Sequence, residues 1–152
     1  MTIRYITVNY WKNYITCIST HDFRLPTDWL RLTAICHHND PKLFELADRF
    51  ITESPLNQPF HRESWLFYLW GHSYEFDDHN NWDRMETFAE KAGQKEDVWY
   101  ATNIEIYDYI NAYNNLKFSI NGDYVYNPSC FPIWLKKNRT LFCVKPNDQI
   151  HI

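Results

Sequence analysis

The feature that most constrains this chain is an almost wholly apolar run at residues 64–70, followed at once by a polar stretch at residues 71–81. A run this short is typical of a strand rather than a helix, and its aromatic and aliphatic side chains leave no polar face. Strands of this kind lie at the centre of parallel sheets, where helices cover both faces. The sequence therefore predicts an α/β fold around this strand.

Helical and strand patterns alternate around this run. Residues 29–36 alternate enough to predict a strand, residues 98–101 predict a third short one, and residues 14–18 have strand propensity without a clear period. Three helices are predicted. The first begins at Asp40, as N-cap before Pro41, and ends before Pro55. The second contains Trp82, Met85, Phe88 and Ala89 and ends near Gly93, and the third runs from Asn103 to Tyr113. This order indicates βαβ units, right-handed crossovers and a parallel sheet.

The pattern changes after Leu116. Residues 116–120 and 124–126 flank an Asn-Gly-Asp turn, which is typical of a β-hairpin. Further short runs follow at residues 133–136, 140–144 and 149–152. We therefore predict two domains, a β/α domain at residues 1–115 and a small antiparallel β appendage at residues 116–152.

Charge and composition exclude several classes of partner. The 15 Lys and Arg residues are scattered among 19 Asp and Glu residues, which gives a net charge of −4 and predicts no binding to nucleic acid or membranes. Residues 1–10 contain no continuous apolar segment, and no stretch approaches the roughly 18 apolar residues that cross a bilayer. We expect a soluble, cytoplasmic chain whose four cysteines are reduced thiols.

Candidate functional groups follow the predicted strands, because ligands gather at the carboxyl ends of parallel strands. His72, after Gly71, is either a general acid or base or a histidine hydrogen-bonded within a loop. His37 and His38 suggest a metal site, but adjacent residues on an extended segment point to opposite faces. Glu75 opens a polar loop through His79 that either reaches a ligand or, more commonly, solvates the loop and the start of the next helix.

These segments resemble one branch of the polysaccharide deacetylase (NodB-like) family. The resemblance rests on FYLWGHSYEFD at residues 67–77 and DVWYATNIE at residues 97–105. It extends to LPTDWLRL at residues 25–32, CHHNDP at residues 36–41 and VYNP at residues 125–128. It therefore covers the chain from about Thr16 to its end.

The resemblance implies the C-terminal part of a distorted β/α barrel that hydrolyses acetyl groups of carbohydrates with a divalent, zinc-type metal that activates water. The family's metal and base motifs, Thr-Phe-Asp-Asp-Gly and His-x-x-x-His, do not occur in this sequence, and neither does its Arg-x-Pro-Tyr element. We therefore expect a partial, open barrel of about three βα units that binds no metal by itself.

Two later motifs of the family match residues of this chain. An Asp-Trp motif matches Asp28 as an orienting carboxylate and Trp29 as a pocket wall, although Leu25 stands where an acid is expected. A Leu-x-His motif matches His72 as the general acid that protonates the departing amine, with Trp70 in place of Leu. We add Trp70, Glu75 and His37 to Asp28 and Trp29 as residues of the substrate pocket.

Three functional hypotheses follow from these residues. The first is a truncated or split deacetylase whose missing half is a separate segment or chain. The second is a carbohydrate-binding or interaction module that retains the aromatic groove without catalysis. The third is a new metal site formed by His37 or His38 with His72 and Glu75.

An open half-barrel predicts self-association, because it leaves apolar strand edges without partners. We expect the isolated chain to form dimers or larger species. Sedimentation velocity measures this directly, and a sharply monodisperse monomer would contradict the prediction.

Overall fold

The computed structural model describes residues 4–9, 19–53 and 64–152, with only the backbone described for residues 4–9. These residues divide into two compact units, the first ending at Thr102 and the second spanning Asn103–Ile152. This division groups the helix that begins at Asn103 with the C-terminal strands, whereas the sequence analysis assigned it to a domain at residues 1–115. The chain has a mixed α/β fold with several small sheets.

A four-stranded sheet forms the first unit, in the order β2-β3-β1-β4. Its strands are β1 (Arg4–Asn9), β2 (Cys36–His37), β3 (Trp65–Trp70) and β4 (Val98–Tyr100), and all pair in parallel. The apolar run therefore forms an interior strand of a parallel sheet, as predicted. Within the described residues the sheet is open, with β2 and β4 at its edges, and no closed barrel forms.

Two strands differ from the sequence prediction. β1, which the sequence analysis did not identify, lies between β3 and β4 and pairs with β3 from Arg4–Trp65 to Asn9–Trp70. The predicted strand at residues 29–36 is wrong apart from its end, because Asp28 accepts a hydrogen bond from Leu30 N–H and starts a turn there. The propensity at residues 14–18 lies outside the described residues.

Four helices occur in the described residues: α1 (Leu43–Thr52), α2 (Ser73–His79), α3 (Trp82–Ala92) and, in the second unit, α4 (Asn103–Asn114). α1 begins later than predicted, although the Asp40 carboxylate still accepts the Lys42 N–H at 2.9 Å. α3 lies where it was predicted, but it buries Phe88 and Ala92 rather than the whole predicted stripe. α2 replaces the predicted polar loop.

Phe67 on β3 is the centre of an aromatic core in the first unit. Its side chain is 1% exposed, and its ring lies 5.4 Å from Phe50 of α1 and 5.5 Å from Phe88 of α3. Phe23 packs against the same ring at 5.9 Å. This core fixes both helices against one face of β3.

The second unit has its own core beneath antiparallel strands. Its strands are β5 (Lys117–Phe118), β6 (Tyr124–Tyr126), β7 (Ile133–Lys137), β8 (Thr140–Val144) and β9 (Gln149–His151), in sheets ordered β5-β6-β9 and β7-β8. All pairs are antiparallel, in agreement with the predicted hairpins. Buried side chains from helix and strands, including Ala112, Val125 and Val144, form one apolar cluster.

Asn127 joins the loops of the second unit through its fully buried side-chain amide. Its NH₂ group donates to the carbonyls of Phe131 and Val144 at 2.7 and 2.9 Å, and its Oδ1 accepts from the Ser129 N–H and hydroxyl. A buried polar group is tolerated when its hydrogen bonds are made within the protein. Asn127 therefore has its own buried hydrogen-bonding groups satisfied and ties three segments of the second unit together.

Replacing Phe67 with Ala should destabilise the chain by about 3–5 kcal/mol, because it removes a ring in contact with three aromatic neighbours and leaves a cavity. Urea unfolding followed by tryptophan fluorescence measures the change. Leu30→Ala is the matched control, since Leu30 is 88% exposed and its loss should cost less than about 0.5 kcal/mol. Equal effects of the two substitutions would contradict this description of the core.

Candidate functional site

The candidate site begins where β3 ends and α2 starts. β3 runs to Trp70, Gly71 turns the chain, and His72 precedes the first residue of α2. Glu75, in the first turn of this helix, returns its carboxylate to the backbone N–H of His72, with Oε2 2.8 Å from the nitrogen. A carboxylate that accepts a free N–H in this way stabilises the start of a helix.

His37 and His38 reach the same oxygen from the end of β2. The Nε2 atoms of His37 and His38 lie 3.1 and 2.8 Å from Oε2 of Glu75. The prediction that adjacent histidines point to opposite faces is wrong here, because β2 ends at His37 and His38 already lies in a turn. We refer to the side chains of His37, His38 and Glu75, with the His72 N–H, as the Glu75 cluster.

The turn that carries both histidines is held from several sides. Arg84 of α3 donates to the carbonyls of His38 and Asp40. Asn81 donates its side-chain NH₂ to the side-chain oxygen of Asn39 at 2.9 Å, and Asp40 pairs with His21 at 2.8 Å. The imidazoles are therefore positioned by the surrounding elements and not only by Glu75.

Gly71 allows His38 to pack at the end of β3. A β-carbon at Gly71 would overlap the His38 ring, so only glycine leaves room for it. The His38 ring also packs against Phe76, with the two ring centroids 4.2 Å apart, and His38 is 2% exposed. The ring is therefore fixed with its Nε2 directed at Glu75.

Electrostatics keep Glu75 ionised. Burial favours its neutral form, but hydrogen bonds from His38 and the His72 N–H, with the nearby charge of His37, outweigh burial and lower the pKa of Glu75 to about 2. Burial, reinforced by the neighbouring His38, lowers the pKa of His37 against the opposing attraction of Glu75. At neutral pH the cluster therefore contains a carboxylate and a neutral His37.

The hydrogen bonds also assign the proton of His37. Its Nδ1 accepts the Asn39 N–H at 3.1 Å, so the proton of the neutral ring lies on Nε2 and is donated to Glu75. In His38 the Nε2 faces the ionised carboxylate, whereas Nδ1 is buried and has no hydrogen-bond partner among the described residues. Both imidazoles thus direct a proton at one oxygen.

Aromatic and imidazole rings continue outwards from the cluster. The ring of His37 lies 4.6 Å from Trp70, Trp70 lies 6.0 Å from His72, and His72 stacks on Tyr74 at 5.2 Å with an angle of 11° between the planes. Tyr74 is 60% exposed. The row therefore leads from the buried cluster to the surface.

Asp28 and Trp29 were predicted as pocket residues. Asp28 lies in an exposed turn, and Trp29 is half-buried. The Asp28 carboxylate accepts a hydrogen bond from the Leu30 N–H and lies 4.0 Å from the guanidinium of Arg31, so both partners are its neighbours in the chain. The segment just before them lines a cleft of about 250 Å³ against β3, formed with the side chains Leu25, Pro26, Thr27, Leu32, Leu66 and Tyr68. The structure thus brings together His37, Trp70, His72 and Glu75, and sets Asp28 in a separate turn.

Sequence reasoning gave no role to Arg84 or Asn81, which hold the histidine turn. Asn81 ends the polar stretch and Arg84 lies in the first turn of α3, and neither position carries a sign of its partner in the sequence. Cys36, Cys130 and Cys143 are unpaired, and burial raises the pKa of Cys36 to about 12. None of the helices in the described ranges combines the length and apolar character needed to span a bilayer.

No protein family, curated protein or solved structure was found to match this chain in sequence or fold.

Glu75→Gln should destabilise the chain at pH 7 by about 1–3 kcal/mol, because a neutral amide accepts the three N–H groups more weakly. The pKa of Glu75 falls from 4.5 in the unfolded chain to about 2 in the folded one. Its stabilising contribution is therefore complete above about pH 4.5 and is lost as the pH falls through about 2. Urea unfolding of both proteins between pH 7 and pH 3 tests this, and a difference independent of pH would contradict it.

Proposed function

We propose that this chain is the C-terminal part of a polysaccharide deacetylase-like hydrolase that removes acetyl groups from carbohydrate amides. His72 is the general acid of the reaction, and Trp70 and Tyr74 form the adjoining wall. The observation that carries this proposal is the position of His72, half-buried at the carboxyl end of β3 between the two aromatic rings.

The reaction defines the task of His72. Water adds to the amide carbonyl carbon and loses a proton to a base that the complementary segment supplies; the C–N bond then breaks, and the amine nitrogen takes a proton from the His72 imidazolium as acetate leaves. Glu75 supports this role through the backbone, because its carboxylate holds the N–H of His72 at 2.8 Å. His37 donates to the same carboxylate and is therefore a supporting residue of the pocket.

The rings beside His72 suit a sugar. Pyranose rings present apolar C–H faces that stack on aromatic side chains, and Tyr74 is exposed next to the imidazole. Along β3 the side chains of Leu66, Tyr68 and Trp70 share one face, so the cleft lined by Leu66 and Tyr68 lies on the same face as Trp70. An oligosaccharide has room to extend along this face.

The family reaction also needs a metal ion and a base, and the motifs that supply them do not occur in this sequence. We propose that a complementary N-terminal segment, in the same or another chain, contributes them. A divalent ion held by residues of that segment would supply the polarisation that activates water. Among the described residues, donors of the type that zinc prefers converge at His37, His38 and Glu75.

The activity test uses the reading frame upstream of Met1. If it encodes Thr-Phe-Asp-Asp-Gly and His-x-x-x-His, the joined protein should release acetate from acetylated chitooligosaccharides, whereas the present chain should not. His72→Ala in the joined protein should lower kcat/KM about 10²–10⁴-fold, because the departing amine loses its proton donor.

The matched control is His79→Gln, on the exposed end of the same helix. It should retain activity within about twofold. Full activity of His72→Ala, or acetate release by the present chain as a monomer, would overturn the proposal.

A carbohydrate-binding module is the second candidate, and the exposed Tyr74 beside His72 favours it. In that case, chitooligosaccharide should shift the NMR signals of Trp70 and Tyr74, and the joined protein should bind the sugar without releasing acetate. The acetate assay therefore separates a binder from an enzyme.

A further inference from the structure

We propose that His37, His38 and Glu75 form an open binding site for a zinc-type transition metal ion. Each residue offers one ligand atom, and the three atoms lie within 4.8 Å of one another. Two imidazole nitrogens with one carboxylate oxygen, and no fourth protein ligand among the described residues, make the donor set of open, three-ligand zinc sites. The site differs from the family's metal motifs and does not depend on the proposed carbohydrate chemistry.

The spacing of the donors is close to that of a metal-bound set. Zn–N and Zn–O bonds of about 2.0–2.1 Å at tetrahedral angles separate ligand atoms by about 3.3 Å. The two Nε2 atoms lie 3.1 and 2.8 Å from Oε2 of Glu75. These two separations are slightly shorter than in a metal-bound set, so binding of an ion requires the imidazoles to move away from Glu75.

Charge and position favour a cation. Glu75 places a carboxylate oxygen beside two imidazole nitrogens, and these are donor types that zinc prefers. The turn that bears the histidines is held by Arg84 and Asn81, and Gly71 and Phe76 fix the His38 ring. A site of prepositioned ligands loses little conformational freedom on binding.

Access is available from one side. The side chains of His37 and Glu75 are 22% and 20% exposed, whereas His38 is 2% exposed. An ion reaches the open side of the set without unfolding the turn. Water or a substrate oxygen would complete its coordination there.

A metal ion must displace the protons that the two Nε2 atoms now direct at Glu75. Metal on Nε2 needs the proton of each neutral ring on Nδ1. The change gives up the bonds from both Nε2 atoms to Glu75, leaves the buried Nδ1–H of His38 without a described acceptor, and turns Nδ1 of His37 into a donor facing the Asn39 N–H. Coordination of zinc, worth about 10–16 kcal/mol in structural sites, exceeds these losses.

Titration of the full chain with ZnCl₂ at pH 7.5 in a calorimeter tests the site. We expect one ion per chain, with no heat from MgCl₂ at the same concentration, because magnesium requires oxygen ligands. Glu75→Gln and His37→Gln should each weaken zinc binding by more than about tenfold. His151→Gln, which alters an exposed histidine of the second unit, should leave the zinc affinity unchanged.

Paramagnetic broadening provides a second readout that does not depend on the variants. Co²⁺ added to the wild-type chain should broaden the imidazole signals of His37 and His38 before those of His151, which lies in the second unit. Absence of stoichiometric zinc binding would overturn the proposal, as would equal zinc affinity in Glu75→Gln or Co²⁺ broadening centred on other histidines. Stoichiometric zinc binding by the chain, together with no acetate release by the joined protein, would reject the proposed function and leave the metal site standing.

Discussion

One carboxylate oxygen holds together the candidate site of this protein. Oε2 of Glu75 accepts hydrogen bonds from the His72 N–H at the end of β3 and from two imidazoles at the end of β2. β2 pairs with β3 over only two residues, so backbone pairing alone joins these strands weakly. The ionised Glu75 supplies contacts that the short ladder lacks and orients the two imidazoles together with the groups that hold their turn.

Much of the fold was predictable because long apolar patterns determine it. The run at residues 64–70 has no polar face, which left an interior strand as the reasonable interpretation, and β3 occupies that place. β5 and β6 likewise follow from their Asn-Gly turn. In these segments the local sequence and the tertiary environment favour the same structure.

Other elements depend on partners that a sequence does not reveal. β1 is polar at alternate positions and is paired on both sides by distant strands, so its interior place in the sheet is not apparent from its own residues. α2 buries only Phe76, which is too little for a helical period to be visible. The strand predicted at residues 29–36 fails because the Asp28 side chain captures a backbone N–H and turns the chain.

The candidate site likewise contains some features that the sequence predicts and others that it does not. His72, His37 and Glu75 follow predicted strands and Trp70 was chosen from the family resemblance, and the structure brings these four together. The convergence of His37 and His38 could not be predicted, because it depends on where β2 ends. The contribution of Arg84 depends on the packing of α3 beside the histidine turn, which no local motif records.

The two units are held by groups that respond differently to acid. The strand ends of the first unit meet on a charged carboxylate, whereas the loops of the second unit meet on the uncharged amide of Asn127. Protons neutralise the former and leave the latter intact. Acidification should therefore weaken the junction between β2 and β3, while the hydrogen bonds of Asn127 in the second unit stay in place.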